Sequence, residues 1–358
     1  MWPYWIMFLV PALLALVENA RHRTAPTVQL RAWKLQWFIL WLVLVFLVGW
    51  RHEVGGDWQN YLNNFNFDTR LDLVDSLTGT DPGYLFLEWI ARQMGWGIYG
   101  VNLLGAILFA WGLVDFALKL PRPWLAIAVS IPYLVIVVAM GYERQGIALG
   151  LMMLGLSALN RGRTIPFLIC NLVAATFHSS GVLMIPIAAM AATKNRFWII
   201  TSAALLLYLG YATLLSNTVA NFKTNYIDAQ YNSQGAFVRL LLNLIPALIF
   251  LYYRDNLSKY YLNTKLWTYM SLLSILLFIS FFVVPSSTAV DRIALYMIPL
   301  QLVVASSLTN LFKDSKRQSE IVLMVLLYYG LIELVWLNFA VNATGWVPYR
   351  FLPFESIH

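Results

Sequence analysis

Thr164 to Ala192, TIPFLICNLVAATFHSSGVLMIPIAAMAA, contains no Lys, Arg, Asp or Glu, and it is bracketed by Arg161 and Arg163 before and Lys194 and Arg196 after. Read as one helix, its roughly 29 residues would rise about 43 Å, well beyond a hydrocarbon core of about 30 Å. It would also put the two basic pairs on opposite sides of a membrane, against the rule that basic loops stay inside. A hairpin turning near His178-Ser179-Ser180 keeps all four cations on one side. Each arm, at about 14 residues, is then too short to reach the far surface. The turn is therefore expected below the outer membrane plane, in a cavity open to that side, because irregular backbone at such depth needs protein or water around it.

The rest of the chain fits this solvent. Of 358 residues 60% are hydrophobic and 11% charged, and mean hydropathy is +0.67, which excludes an ordinary soluble fold. The first apolar run, Trp2 to Val17, has neither a basic flank before it nor an Ala-x-Ala-type site after it, and reads as a retained helix. The single Cys170 excludes an internal disulfide, and no Cys/His spacing suggests zinc or haem. The charge of +7 is scattered between apolar segments, so membrane orientation explains it better than nucleic acid does.

About twelve apolar segments long enough to serve as spans follow: Pro3 to Val17, Trp33 to Trp50, Tyr99 to Leu118, Trp124 to Met140, Gly146 to Leu159, Thr164 to Phe177, Ser179 to Ala192, Phe197 to Leu215, Ala236 to Tyr253, Leu266 to Val284, Ile293 to Leu311 and Ile321 to Ala340. Alternating sides puts 16 of the 24 basic residues, from Arg21 to Arg317, on one face, which should be cytoplasmic. The other face has the remaining 8 basic residues against 12 acidic ones, and both termini. The chain is expected to be all-α, a single transmembrane domain over 1–358, with an outer loop and amphipathic segment at 51–98.

Five polar clusters share the outer side. Arg51-His52-Glu53-Val54-Gly55-Gly56-Asp57 precedes a polar stretch reaching Asp81-Pro82-Gly83-Tyr84, and its Gly pair suits a tight turn that brings Arg51 and Asp57 together. Glu143-Arg144-Gln145, His178-Ser179-Ser180 and Asp291-Arg292 each stand where a span starts at the outer side and runs inward, and Tyr349-Arg350 lies in the tail. Such helix starts offer unbonded N–H groups and a positive dipole end. Together with Arg51, Arg144 and Arg292 they make an anion site, for which the planar, always charged guanidinium is suited.

Each residue also has a plainer reading. Arg51 could snorkel to headgroups, Glu143 and Arg144 could pair only with each other, His178 could be a hydrogen-bonded structural residue, and Asp291 could cap beside Arg292. The fifteen Trp read as interfacial belt or lipid-facing bulk. Several costly groups on one side favour function, since ionisable residues at membrane depth are functional candidates.

Arg51-x-x-Val54-Gly55-x-Asp57 with Tyr61, Pro82-Gly83-Tyr84, Arg144-Gln145-x-Ile147-Ala148, His178-Ser179-Ser180 leading to Pro186, Arg292 with Tyr296, and Pro348-Tyr349 together resemble the EpsG/Wzy family of bacterial polysaccharide polymerases, over most of the chain. Each motif is short; their order across many spans carries the likeness, and Glu143 is a departure that the family pattern does not require. The resemblance implies a GT-C-like, inner-membrane glycosyltransferase with a periplasm-facing cavity. It would join oligosaccharide repeat units carried on undecaprenyl diphosphate, with the growing glycan as donor, a fresh lipid-linked repeat as acceptor and lipid diphosphate as leaving group. A chain-length regulator is among the partners it allows, besides membrane lipids. No cofactor is expected, and without an Asp-x-Asp triplet neither is a metal.

On that reading Arg51, Arg144, Arg292 and Arg350 bind diphosphate. Asp57 and His178 are both available as general base, and a neutral imidazole favours His178; Asp57 then orients Arg51 or the acceptor. Glu143, Gln145, Tyr61, Ser179, Asp291 and Tyr296 support them. Two rivals are an O-antigen ligase, with the same donor and a different acceptor, and a lipid-linked oligosaccharide flippase or other transporter, which should show charged or broken-helix sites near the midplane and repeat-related halves. Neither feature is visible in the sequence. An intramembrane serine protease is a more distant idea, raised by Ser180 beside His178.

Overall fold

The computed structural model describes residues 1–21, 33–67, 72–178, 180–181, 201, 233, 235–257 and 263–355. Within them the chain is helical, with a single isolated antiparallel bridge between Arg51 and Phe351. The helices are α1 (Trp2–Arg21), α2 (Leu35–Gly49), α3 (Trp58–Phe67), α4 (Leu73–Thr78), α5 (Pro82–Gln93), α6 (Gly97–Leu118), α7 (Pro123–Ser130), α8 (Glu143–Leu159) and α9 (Thr164–Phe177). Later come α10 (Ala236–Tyr252), α11 (Arg254–Leu257), α12 (Thr264–Ser280), α13 (Ser287–Ala294), α14 (Ile298–Ser307) and α15 (Ser315–Phe339).

Four helical runs among the described residues, Trp2–Ala20, Gly97–Leu118, Ser287–Leu311 and Ser315–Phe339, are long and apolar enough to cross a membrane. Five shorter ones, such as Leu35–Gly49 and Ala236–Tyr252, are apolar too. Ten of the spans expected from sequence fall on described helices; Ser179 to Ala192 and Phe197 to Leu215 lie outside the described residues except at 180–181 and 201.

Small residues set the closest packing. At Gly112 of α6 an added Cβ would stand 1.8 Å from the Gly150 carbonyl oxygen of α8, so these two helices meet backbone to backbone, as small residues allow in hydrocarbon. α8 is buried along nearly its whole length, held between α6 and α9.

Two spans are irregular. α7 runs on into a π-helix, Ile131–Ala139. The run after Ser286 tightens to 3-10 geometry at Leu295–Met297 before α14. Pro299 has no N–H to give Leu295 and its ring crowds that carbonyl, which accounts for the tightening. Both runs stay continuous, Ser287–Leu311 forming one 25-residue helical span, and hydropathy alone does not reveal such local changes of pitch.

The ends of the bundle sort as the charge count requires. At one end Arg122 bonds Thr309 Oγ1 at 2.5 Å and Gln318 Oε1 at 3.1 Å, Asn19 reaches Ser319 at 2.9 Å, and Lys119 pairs with Asp115 at 3.4 Å. At the other, the Tyr4 hydroxyl donates to the Trp346 carbonyl at 2.6 Å and the Tyr349 hydroxyl to the Leu47 carbonyl at 2.7 Å. There the tail lies along 50–52, with His52 N bonded to the Arg350 carbonyl at 3.0 Å. The loop 51–98 folds over this second end as α3, α4 and α5, burying Trp58, Phe65, Tyr84 and Leu87 against Ile98, Ile147 and Phe177.

Candidate active site

The site lies under that loop, where α8 begins. α9 stops at Phe177, and His178 is extended, with φ −158° and ψ 120°. Gly181 N then bonds the His178 carbonyl at 2.9 Å, and Gly181 packs back on Ala174. The break falls where span length demanded it, and Ser179 and the second arm of the hairpin beyond Gly181 lie outside the described residues.

Asp81-Pro82-Gly83-Tyr84 is shaped by this neighbour. Pro82 takes a first position of α5, after Asp81 in the left-handed region at φ 57°. A Cβ on Gly83 would sit 2.4 Å from Thr176 Oγ1 and 2.9 Å from the Phe177 ring, so only glycine lets α5 start against the end of α9. Tyr84 is thereby carried under Arg144.

Arg144, in the first turn of α8, has its Cζ 4.6 Å from the Tyr84 ring centroid and 5.6 Å from that of Tyr61, and its Nη1 3.2 Å from Asp81 Oδ2. Cation–π contact and one carboxylate hold the guanidinium, while a quarter of the side chain is open to solvent. Arg292 stacks on Tyr142 at 4.0 Å. Gln145 clamps it from both sides: the Gln145 amide donates to the Arg292 carbonyl at 2.6 Å and accepts from Arg292 Nη1 at 3.4 Å.

Asp57 and His178 both lie within the electrostatic reach of Arg144 and Arg292. Burial pushes the Asp57 carboxyl above the usual carboxylate range, with Arg292, a hydrogen bond to Asn60 and Arg144 pulling the other way. Burial raises Asp81 too, against Arg144. His178 Nδ1 is 2.5 Å from Ser180 Oγ, and Ser180 donates to the Tyr296 hydroxyl at 3.2 Å. Ser180 thus bridges the imidazole and the Tyr296 hydroxyl, and the His178 tautomer sets which of Nδ1 and Oγ donates.

Arg51 is placed elsewhere. It is 2% exposed, with Nη1 on the Val48 carbonyl at 2.6 Å, Nε on the Val54 carbonyl at 3.1 Å and Nη2 on Glu143 Oε2 at 3.2 Å. Asn102, turned so that its amide nitrogen faces Glu143, closes this pair at 2.7 Å. The expectation that Arg51 opens onto the anion site is corrected: the Gly55 turn forms, at φ 117°, but sends Asp57 toward Arg292 and Arg144 while Arg51 anchors the back of α8 through Glu143. Glu143 therefore pairs with Arg51 and not with its neighbour Arg144.

Two further expectations change. Arg350 pairs with Glu53 at the exposed rim, outside the cluster. Asp291 and Arg292 stand well inside α13, whose start is at Ser286 and Ser287, so they offer no helix start. Asp291 is instead held by Arg239, Nε to Oδ1 at 2.8 Å and Nη2 to Oδ2 at 2.7 Å, with Ser233 Oγ at 3.1 Å. Sequence reading missed Arg239, Tyr142, Asp81 and Tyr84 as site residues. Only the last two had a signal, the Pro-Gly turn beside them.

At its polar end the molecule thus presents two guanidiniums on aromatic rings, at the positive end of one helix dipole, facing a carboxylate and an imidazole. That arrangement can hold a multiply charged anion and accept a proton beside it. Comparison with family models gives a match to the EpsG family over residues 34–351. No curated protein matches the chain, and no solved structure does.

Proposed function

Because the chain belongs to the EpsG family, which points to polysaccharide polymerisation in a membrane, we propose that it is a metal-independent glycosyltransferase of the bacterial inner membrane. On this reading about twelve spans form a GT-C-like body whose polar end faces the periplasm. Oligosaccharide repeats on undecaprenyl diphosphate are donor and acceptor. The acceptor hydroxyl oxygen bonds to the anomeric carbon of the donor, the carbon–oxygen bond to diphosphate breaks with its electron pair leaving on phosphate, and the acceptor proton passes to a base. Displacement in one step inverts the anomeric centre.

The observation that carries this reading is the convergence of Arg144 and Arg292 beside Asp57 and His178 at the start of α8. Preorganised cations stabilise charge developing on a leaving diphosphate without reorganising. Arg144 and Arg292 are the diphosphate ligands, Arg51 and Glu143 hold α8 in place, and Gln145 and Tyr61 position the two cations. Asp57 is the better base: its carboxyl is pushed up by burial, while an imidazolium at His178 would form beside two guanidiniums.

Labelled lipid-linked repeats supplied alone to vesicles holding the purified protein test this. A ladder of lengthening glycan is expected. Product only after adding lipid A core would make it a ligase, and lipid-linked repeat crossing the bilayer without elongation would make it a transporter. Transport is worth measuring, since the 3-10 turn at Leu295–Met297 and Glu333, buried with neither oxygen bonded among the described residues, are features a transporter could use. If Asp57→Asn keeps substantial polymerisation and His178→Ala abolishes it, the base is His178.

A further inference from the structure

A groove runs along the side of the bundle between α10 and α15. Its outer part, about 480 Å³, is walled by Val238, Ile245, Leu331 and Val335. An inner part of about 360 Å³ continues it past Pro246 and Met324, and the two share Ile245 and Tyr328. From Ile321 to Phe339, both on its walls, α15 rises about 27 Å, nearly the whole hydrocarbon thickness of about 30 Å. A phospholipid acyl chain reaches only about half of that from either leaflet.

The groove is mostly apolar; its inner part also carries Gln301 and Tyr329, bonded to each other at 3.0 Å, and its outer end is polar in part. There Arg239 forms part of the wall, and the Tyr133 side chain is buried with its hydroxyl unpaired among the described residues. Arg239 is bonded to Asp291, and the next residue, Arg292, faces the candidate active site. α13 therefore lies between groove and site, with Asp291 bonded to the groove-lining Arg239 and Arg292 on the site side.

We propose that this groove holds the polyprenyl tail of the lipid carrier whose diphosphate lies at Arg144 and Arg292, with the Tyr133 hydroxyl meeting the polar start of the lipid. The inference rests on the lipid-linked reading above and adds where the tail goes. An isoprenoid chain longer than a leaflet fits a slot that crosses both leaflets, and the slot begins one helix from the cations that would take its head.

The test reads binding without sugar or turnover, so it stands apart from the polymerase assay. Full-length protein in nanodiscs is titrated with undecaprenyl diphosphate and with geranyl diphosphate. The long chain should bind at least about tenfold tighter, about 1.4 kcal/mol. Leu331→Trp and Ile245→Trp, which fill the groove from opposite walls, should remove that difference while leaving geranyl diphosphate binding unchanged; the milder Val335→Phe should remove part of it. A diazirine at the far end of the long chain should label peptides of α10 or α15. Groove-filled variants that bind the long chain as wild type does, that lose both ligands equally, or a label landing elsewhere, would overturn the proposal, as would phospholipid that undecaprenyl diphosphate cannot displace from the groove. A protein that makes no ladder yet shows the tail-length effect would sink the polymerase reading and keep the groove.

Discussion

Arg51, Arg144 and Arg292 look alike in the sequence, each a lone cation at the end of an apolar run, and the structure separates them by what they touch. Arg51 has three protein acceptors and almost no exposure. Removing one partner of a buried ion pair strands the other charge, at a cost of about 3–5 kcal/mol. Arg51→Ala should therefore lower the melting temperature markedly, with Glu143→Gln acting through the same pair, so that the double variant costs less than the sum of the singles. Arg144→Ala and Arg292→Ala should act mainly on rate: a smaller loss of melting temperature, larger for Arg144→Ala because Asp81 loses its cation, and polymerisation slowed about 10²–10³-fold if each supplies one stabilising cation to the leaving group. Melting curves beside rates with a fixed lipid-linked substrate check all three. For Asp57 the sign is set by burial. The carboxylate is the proton acceptor, its affinity for protons is raised in the folded protein, so the rate should fall as pH drops through a value above the usual carboxylate pKa of about 3.9. Asp57→Asn should be slow and should lose that acid limb, whereas a limb that persists in the variant would assign it to another group.

Among elements, α8 links framework to site, since its first turn holds both Glu143 and Arg144 and its middle lies against α6 at Gly150. The close approach there leaves no room for a side chain: a Cβ on Gly150 would stand 2.5 Å from the Phe109 Cα. Gly150→Leu should either unfold the bundle or push α8 outward. In the second case Arg144 leaves Tyr84 and activity falls far more than Gly150→Ala costs, which paired thermal and activity measurements would reveal. Element positions were legible from sequence because membrane length and basic flanks constrain them. Thr164–Phe177 ends where the arithmetic of a short arm said it must, and the loop 51–98 carries the amphipathic α5. What was not legible has equally physical reasons. Arg239 and Asp291 are 52 positions apart, and no local pattern joins them. The π-helix at Ile131–Ala139 is as apolar as any α-helix would be. Arg51 and Asp57 are linked by a turn whose glycines announce a bend without saying where each side chain goes.

At the scale of the whole molecule the strongest result is the sorting of charge. Glu18, Asn19, Asp115, Lys119, Arg122 and Gln318 meet at one end through contacts among α1, α6, α7 and α15, and the site clusters meet at the other with the tail and the start of α1. Lys and Arg counts along the chain divide it into the same two ends, and the packing assembles these groups independently, because residues on opposite membrane faces cannot touch. The proposal that the basic end faces the cytoplasm rests on the excess of Lys and Arg there and is measurable. In a Cys170→Ser background, a membrane-impermeant maleimide applied to spheroplasts should label Phe354→Cys, which is exposed beside the site end, and leave Lys313→Cys unlabelled until the membrane is opened. The reverse pattern would put Arg144 and Arg292 on the cytoplasmic side. A lipid-linked repeat presented in the periplasm could not then reach them, and the reaction would have to use a donor available before the carrier crosses the membrane.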